Sequence, residues 1–430
     1  MMKSLKLIQL GDVHFPEAKS AQIGDLKDEA APKSLVTAIA PKRLELVMRK
    51  VSDVAADPTV CGLLICGDLT TYGDLDEYRR CVEYLNKIVE VGSPDRWPDN
   101  SLHVVPGNHD VARELCDPDG VDLFEKFAPL VASWDKLGRN AILPVQGIRS
   151  TVLKPNGHSL SLFSLNSCIG CGERRHLPAK IQDELATLLK KYLTSAPPAD
   201  AFDLIGEQLD TPAFVDDHVR SLVTEINNLA DTSVPIVLAH HNVLPQAIPR
   251  VEIYTELING GLFRTQLASC CRPIIYCHGH IHDDPIEQLT DHRYPASKIL
   301  FVSAPMLVDG FNVIEIVFAR NNLPLGCKIH RYRSTPHGSI DNSGVVIVPL
   351  AGAEVLSRFD DERLRALLKV CGPEFIRFEE LRTGLQNELG TLPNFATVGD
   401  VVFEAEWLSL VEVKDGTLPH KHWQVRRIEP

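Results

Sequence analysis

Residues 5–14, with the sequence LKLIQLGDVH, join a short apolar run to two polar side chains. The apolar run predicts a buried strand, and Gly11 ends it. Asp12 and His14 follow at once, where the strand stops. In layered α/β proteins, the residues that bind ligands gather beyond the carboxyl ends of the strands. This stretch therefore predicts an α/β fold with functional groups on the loops that follow its strands.

The same arrangement recurs four times further along the chain. Apolar runs lead into Gly67-Asp68, Gly107-Asn108-His109-Asp110, His240-His241 and Gly279-His280-Ile281-His282. Longer segments between them, such as residues 41–56 and 75–89, repeat apolar positions at the helical period. We expect alternating strands and helices, with the motifs at the strand ends. The pair Asn156-Gly157 between two apolar runs also predicts a β-hairpin.

The composition is that of an ordinary globular protein with an acidic surface. The 430 residues are 44% hydrophobic and 23% charged, and the formal net charge is -13. Because this charge repels polyanions, it disfavours a long nucleic acid as a substrate or partner. We find no signal-peptide pattern and no apolar run near the roughly 18 residues that span a bilayer. We therefore expect a cytoplasmic protein without a membrane partner.

The 11 cysteines are odd in number and scattered, which is typical of free thiols in a reducing compartment. Cys168 and Cys171 have the spacing of a zinc knuckle or of a redox pair. No second pair of this spacing accompanies them. We interpret these two cysteines as packing or loop residues.

The motifs end well before the C-terminus. Residues 1–340 contain all of them and predict one catalytic domain. Residues 341–430 contain a strand-like run, a helical segment and a tail with two tryptophans, and they predict a smaller accessory region. A protein partner bound through this region stays open. Residues 18–41 form a long irregular segment that suits a lid or recognition element, and disorder explains it equally well.

Two of the motifs space their polar residues by two positions. Asp12 and His14 form one such pair, and His280 and His282 form the other. On an extended backbone, side chains at this spacing point to the same side, so we expect each pair to face a metal ion. Taken alone, the first pair is explained more simply by an Asp that caps a turn beside an incidental His.

The two motifs after the second and third apolar runs add oxygen ligands. Asp68 offers two carboxylate oxygens, one for each metal of a pair, although capping the next helix is an alternative. Asn108 can bind a cation through its amide oxygen without adding charge, and His109 beside it can face a substrate. A turn at Gly107 is the structural alternative for this segment.

The fourth motif offers two adjacent imidazoles. Because neighbouring residues of a strand face opposite sides, we expect only one of His240 and His241 to bind a metal, and we favour His240. Together with the carboxylates, the amide and the other imidazoles, it completes the ligand set of a two-metal phosphoester hydrolase.

In this order the motifs resemble those of the calcineurin-like metallophosphoesterase superfamily over residues 6–318. The matching positions are Asp12, His14, Asp68, Asn108, His109, Asp110, His240, His280 and His282. Within the superfamily, residues 67–70 and 76–80 are most similar to the class III cyclic nucleotide phosphodiesterases. Asn166 departs from that branch, which has an acidic residue there.

The resemblance implies a four-layer α/β/β/α sandwich with two divalent metal ions at the ends of two sheets. The implied ligands are Asp12, His14 and His282 for the first metal, Asn108, His240 and His280 for the second, and Asp68 as the bridge. Mixed oxygen and nitrogen ligands suit manganese, iron, zinc, nickel or cobalt, and the sequence does not choose among these metals.

The activity implied is hydrolysis of a phosphoester by a hydroxide that bridges the two metals. His109 would face the substrate as an acid or a charge stabiliser, and Asp110 would orient its ring. We expect a metallophosphoesterase, either a phosphodiesterase or a phosphatase, that acts on a small phosphoester, with nucleotides among the candidates. A nuclease for DNA or RNA is one alternative, which the acidic charge disfavours. A non-catalytic interaction module with a vestigial site is the other, which the complete ligand set disfavours.

Overall fold

The computed structural model describes most of the chain. It covers residues 3–15, 33–71, 73, 75–90, 95–97, 99–112, 115–116, 123–134, 141–172, 180–181, 184, 210–245, 257–335, 339–350 and 362–428. Part of the segment predicted to be irregular, residues 18–41, lies outside these ranges. From residue 33 onward the chain is helical, so the helix predicted over 41–56 begins eight residues earlier.

The first predicted strand lies in the middle of a seven-stranded sheet. In spatial order its strands are β13 (Ile340–Pro349), β12 (Pro324–Ser334), β11 (Gly310–Phe318), β1 (Lys3–Leu10), β2 (Val60–Ile65), β3 (Leu102–Val104) and β4 (Ala141–Ile142). Strands β1 to β4 are parallel, whereas β11, β12 and β13 pair antiparallel. Leu5 and Leu7 of β1 face one side of the sheet, and Ile8 and Leu10 face the other. Both faces are buried, which explains the continuous apolar run.

A second sheet has six strands. In spatial order they are β5 (Ile148–Leu153), β6 (Ser159–Leu165), β7 (Ser233–Leu238), β8 (Ile274–His278), β10 (Tyr294–Ser303) and β9 (Ile286–Asp291). Strands β6, β7, β8 and β10 are parallel. β5 and β6 pair antiparallel around Asn156-Gly157, which confirms the predicted hairpin.

Helices cover the outer faces of both sheets. They are α1 (Lys33–Ala55), α2 (Leu75–Val89), α3 (Ala128–Trp134), α4 (Asp216–Asn227) and α5 (Gly260–Ala268). The first three pack on the seven-stranded sheet and the last two on the six-stranded sheet. A third cluster of apolar side chains fills the space between the sheets. These four layers confirm the predicted sandwich. Within the described residues, we find no helix with the length and hydropathy of a bilayer span.

The C-terminal region contributes three helices and a small sheet. These elements are α6 (Glu362–Val370), β14 (Ile376–Arg377), α7 (Phe378–Leu389), α8 (Phe395–Trp407), β15 (Val411–Lys414) and β16 (Gln424–Arg427). Their apolar side chains form a cluster that also takes in Val317, Leu323 and Leu325 from β11, β12 and the turn between them. The boundary predicted at 340/341 falls inside β13, which pairs with β12 along its whole length and so belongs to the first sheet. The division into two domains stays a prediction.

Candidate metal centre

The strand order brings the predicted motifs to one place. In the first sheet, β1, β2 and β3 are parallel neighbours, so the loops that begin at Gly11, Gly67 and Gly107 leave from the same edge. In the second sheet, β7 and β8 deliver His240 and the loop after His278. The backbone N–H of Gly279 is donated to the His240 carbonyl oxygen, which joins these two loops. All five motifs therefore converge between the ends of the two sheets.

One group of side chains lies around Asp68. It consists of Asp12, His14, Asp68 and His282, whose ligand atoms lie within 4.8 Å of one another. The Nε2 atoms of His14 and His282 are 3.4 Å apart, and the Nε2 of His14 is 3.8 Å from the Oδ2 of Asp68. These atoms surround a common point, as ligands of one ion would.

A second group lies on the other side of Asp68. The amide Oδ1 of Asn108 is 3.0 Å from the Nε2 of His240 and 3.2 Å from the Nδ1 of His280. The Nε2 of His240 is also 3.4 Å from the Oδ2 of Asp68. Asp68 therefore contacts both groups. It does so through the single oxygen Oδ2, and not through one oxygen for each metal as predicted, because Oδ1 accepts the N–H of His109.

Of the two adjacent imidazoles, His240 faces the oxygen ligands. Its Nδ1 lies 2.7 Å from the carbonyl oxygen of Cys66, to which it donates, and this leaves Nε2 for a metal. His241 turns its Nδ1 to the hydroxyl of Ser167 at 2.9 Å. Its ligand atom nevertheless lies within 4.8 Å of those of His240 and His280, so only the orientation distinguishes the two candidates. The orientation supports His240.

The backbone at the ligands is not extended, which corrects the expectation from the two-residue spacing. The φ angles are 45° at His14, 49° at Asp68, 69° at His280 and 54° at His282. A non-glycine residue rarely adopts this left-handed region, and each instance costs about 1–3 kcal/mol. The loops turn sharply right after the strands, and these turns, not strand alternation, set the directions of the side chains. His280 and His282 therefore lie in different groups, whereas the sequence predicted that this pair faces one ion.

Hydrogen bonds from the backbone orient the two carboxylates. Asp12 accepts the N–H of His280 on both oxygens, at 3.0 and 3.2 Å. Asp68 accepts the N–H of His109 on Oδ1 at 2.9 Å, which leaves Oδ2 to face His14 and His240. Each carboxylate thus holds a loop from another strand, and Asp68 keeps Oδ2 for a cation.

His109 and Asp110 occupy a short 3-10 helix after β3. The Nδ1 of His109 lies 3.0 Å from the Thr71 carbonyl oxygen, so Nδ1 carries the proton of that hydrogen bond. The Asp110 carboxylate instead accepts backbone N–H groups of Gly107, Leu69 and Thr70. The Nδ1 atom of His109 is thus oriented by the Thr71 carbonyl oxygen and not by Asp110, so the role predicted for Asp110 at this nitrogen is wrong. Asp110 stabilises the loop that carries Asp68, because the N–H groups of Leu69 and Thr70 in that loop donate to its buried carboxylate.

The electrostatics of the site balance carboxylates against imidazoles. Burial and the ring of His109 hold the pKa of His14 well below its usual value, and burial and His240 do the same for the pKa of His280. Burial lowers the pKa of His240, but the carboxylate of Asp68 outweighs it and raises that pKa to about 10. Burial opposes ionisation of Asp68, yet His240 and His109 keep its pKa well below the usual value. The positive charge of a protonated His240 thus lies where a bound cation would supply positive charge instead.

This donor set fits a pair of divalent cations. Two carboxylates, one amide oxygen and four imidazoles converge here, and the carboxylates of Asp12 and Asp68 are almost fully buried. Carboxylates in such surroundings need positive charge nearby. Oxygen and nitrogen ligands together suit first-row transition metals.

One buried carboxylate of the site carried no signal in the sequence. Asp210 accepts the Nδ2 of Asn108 at 3.3 Å and the backbone N–H of Gly172 at 2.9 Å. The first contact fixes the amide so that its oxygen faces His240 and His280. Asp210 stands 102 residues beyond Asn108, outside every motif.

Asn166 is the residue that departs from the phosphodiesterase branch. Its Oδ1 accepts the N–H of Cys168 and its Nδ2 donates to the Val145 carbonyl oxygen, so it stabilises the loop that follows β6.

A family model described as calcineurin-like phosphoesterase matches residues 5–284 of this chain. A comparison with curated proteins found no match. Among solved structures, a dimetal phosphatase from Danio rerio is 14% identical over 81% of this chain and 99% of its own, with a TM-score of 0.45.

Two further structures are similar to this chain. GAP50, the anchor in the inner membrane complex of Plasmodium, is 12% identical over 91% of this chain and 95% of its own, with a TM-score of 0.42. A 5'-nucleotidase precursor from Thermus thermophilus is 14% identical over 79% of this chain and 56% of its own, also with a TM-score of 0.42. The residues matched by the family model include every predicted metal ligand.

Proposed function

The chain belongs to the calcineurin-like phosphoesterase family, and from this membership we propose that it is a metal-dependent hydrolase of small phosphoesters. The observation that carries the proposal is the position of Asp68. Its carboxylate contacts ligand candidates of two groups, with His14 at 3.8 Å on one side and His240 at 3.4 Å on the other. A single carboxylate between two ligand groups is the arrangement that a pair of metal ions requires.

The proposed ligand set uses all seven converging side chains. Asp12, His14 and His282 would hold the first ion, Asn108, His240 and His280 the second, and Asp68 both. Two divalent ions bound here would supply positive charge for the phosphoryl oxygens and an activated water. Manganese, iron, zinc, nickel and cobalt all suit these donors.

His109 is proposed as the residue that acts on the leaving group. Its ring packs against that of His14, with the centroids 4.9 Å apart, so it borders the first ligand group. Its Nδ1 donates to the Thr71 carbonyl oxygen, so in the doubly protonated ring Nε2 would carry the proton that passes to the departing oxygen. Unlike its neighbours Asn108 and Asp110, His109 is only partly buried, as a group that meets a substrate must be.

The substrate is proposed to be small. The net charge of -13 opposes a long polyanion, and no basic groove is needed for a mononucleotide or a simple ester. We keep phosphodiesterase and phosphatase as the two forms of the activity. All eleven cysteines are thiols outside any disulfide bond, which supports the cytoplasm as the proposed compartment.

The test is hydrolysis of bis-p-nitrophenyl phosphate and of p-nitrophenyl phosphate with added Mn²⁺. Turnover should disappear with a chelator and in Asp68→Asn, which keeps the shape of the side chain but removes its charge. Asp217→Asn is the matched control, because Asp217 is exposed on α4. The preferred ester distinguishes phosphodiesterase from phosphatase.

A panel of cyclic nucleotides, dinucleotides, nucleoside monophosphates and single-stranded DNA then separates the substrate classes. Cleavage of DNA in preference to the small esters would favour a nuclease. No turnover of any of these compounds with any of the five metals would contradict the proposal and favour the non-catalytic module.

A further inference from the structure

A second cluster of metal-ligating side chains lies beside the candidate metal centre. Its members are Cys168, Cys171 and His241, and the exposed fraction of each residue is 1% or less. One ligand atom of each lies within 4.8 Å of the other two. His241 stands 73 residues beyond Cys168 in the chain, so the packing interpretation drawn from the two cysteines alone did not include it.

The loop after β6 brings the two thiols together. The N–H of Cys168 is donated to the Oδ1 of Asn166 at 2.8 Å, and the N–H of Cys171 to the carbonyl oxygen of Cys168 at 3.1 Å. Lys126, itself almost fully buried, donates its Nζ to the carbonyl oxygens of Ile169 and Cys171 at 2.6 and 2.8 Å. These hydrogen bonds fix the backbone of the turn at residues 168–171. The positions of the thiols are therefore set before any ligand binds.

His241 completes the cluster from the end of β7. Its Nδ1 lies 3.8 Å from the Sγ of Cys168 and 2.9 Å from the hydroxyl of Ser167, which a bound ion would displace from this nitrogen. A zinc ion binds thiolate sulfur at about 2.3 Å and imidazole nitrogen at about 2.0–2.1 Å, so two such ligands of one tetrahedral ion stand roughly 3.6 Å apart. The separation in this structure is close to that value.

We propose that Cys168, Cys171 and His241 bind a zinc ion in a structural site next to the two-metal centre. Two sulfurs and one imidazole nitrogen form a softer donor set than the oxygen-rich centre beside it, and zinc suits such ligands. Each thiol would release its proton to solvent as the ion binds. The three side chains would supply three of the four ligands of a tetrahedral ion, and Cys116 packs in the same apolar cluster as the two cysteines.

Such a site would position the centre beside it. His241 follows His240 directly, and the imidazole of His240 faces Asn108 and Asp68. The same turn leads into Gly172, whose N–H is donated to Asp210, the residue that orients Asn108. A zinc ion here would thus tie the end of β7 to the loop after β6.

The experiment replaces the bound metal of the full chain with Co²⁺ and records the thiolate-to-cobalt charge-transfer absorption. Wild type should show the band, and Cys168→Ser and Cys171→Ser should lose it together with roughly one zinc per chain. Asp68→Asn should keep the band, because it alters only the neighbouring centre. Cys271→Ser is the matched control, since Cys271 is the exposed thiol.

Unchanged zinc content in both serine variants would overturn the proposal, as would a Cys168–Cys171 disulfide in wild type that holds no such zinc. If the variants do not fold, titration of wild type with a mercurial reagent decides the question. Zinc release in step with the modified thiols supports the site, and modification without zinc release contradicts it.

Discussion

At the residue scale, single side chains of the metal centre serve two neighbours at once. Asp68 uses Oδ1 to accept the His109 N–H at 2.9 Å and turns Oδ2 toward His240. Asn108 donates Nδ2 to Asp210 and turns Oδ1 toward His240 and His280. In both, the bond on one atom fixes which atom would face a cation. The ligands are therefore oriented in advance, which lowers the cost of binding.

Replacing His109 should separate catalysis from metal binding. In His109→Ala we expect the metal content of wild type with turnover lower by about 10²–10⁴-fold, the usual contribution of a positioned acid. Steady-state hydrolysis and elemental analysis of the same sample measure both quantities. His292→Ala serves as the control, because His292 is exposed on the turn before β10. Wild-type turnover in His109→Ala would remove this residue from the mechanism.

Asp210→Asn should weaken the metal centre without removing a ligand. The asparagine can no longer accept both the Asn108 amide and the Gly172 N–H as a carboxylate does. We expect the affinity for Mn²⁺ to fall about 10–100-fold, the typical effect of losing such a supporting contact. Calorimetric titration measures this affinity, with kcat at saturating Mn²⁺ nearly unchanged. A wild-type affinity would show that Asn108 needs no support.

At the element scale, the loops after β2 and β3 lock each other in place. Asp68 accepts an N–H from the turn at 108–110, and Asp110 accepts the N–H groups of Leu69 and Thr70 in return. This reciprocal pairing needs the two backbones to lie very close. A Cβ added to Gly107 would meet the Oδ1 of Asp68 at 1.9 Å and its backbone nitrogen at 2.3 Å.

Gly107→Ala should therefore push Asp68 out of position. The φ of Gly107 is -99°, which alanine adopts easily, so the contact alone causes the effect. We expect loss of metal binding and a drop of about 1–3 kcal/mol in the free energy of unfolding. Gly344→Ala is the control, because its Cβ would meet nothing within 4 Å. Equal metal content in the two variants would refute this account.

The strand pair β11–β12 carries an acid-sensitive contact. Glu315 accepts a hydrogen bond from His330 at 2.7 Å, and this bond lowers the pKa of Glu315 from 4.5 to about 2. Because the folded pKa is the lower one, the contribution to stability is complete above pH 4.5 and disappears as the pH falls toward 2.

Urea unfolding of Glu315→Gln should report this contribution. Above pH 4.5 the variant should be less stable than wild type on the order of 2 kcal/mol, because solvent screens part of the interaction of this half-buried pair. The difference should shrink steadily as the pH falls from 4.5 to 3. A difference that stays constant over this range would show that the carboxylate of Glu315 is not the titrating group.

At the scale of the whole molecule, apolar contacts and a bidentate ion pair join the C-terminal region to the first sheet. Glu404 accepts the Nε of Arg320 on Oε1 and its Nη2 on Oε2, both at 3.0 Å. Glu404 is 5% and Arg320 23% exposed at the side chain, so the pair is largely shielded from water. Arg320 follows β11 and Glu404 lies on α8, so this ion pair connects the first sheet to the C-terminal region.

Glu404→Gln should loosen this junction. It removes the negative charge that faces the guanidinium of Arg320, and we expect a loss of about 2–3 kcal/mol in the free energy of unfolding. Glu388→Gln breaks the exposed pair with Lys369 and should cost under about 1 kcal/mol. Urea unfolding curves of both variants provide the comparison. Equal losses would mean that Glu404 contributes no more than a surface charge.

Most of the fold and of the proposed ligand set could be predicted from local patterns. A buried parallel strand needs a continuous apolar run, and a ligand at its end must follow that run directly, so Asp12, Asp68, Asn108 and His240 were visible in the sequence. The layers of the sandwich followed from the alternation of such runs with helical segments, together with the family resemblance.

The contacts that orient the ligands depended on the tertiary structure. Asp210 and Asn108 meet although 102 residues separate them, and His241 reaches Cys168 across 73 residues. No local pattern encodes such pairs, because the energy that brings them together comes from the burial of whole sheets and helices. The same packing holds His14 and His282 in left-handed backbone conformations that their own residue types disfavour. The sequence by itself therefore identifies the candidate ligands, and long-range packing orients them.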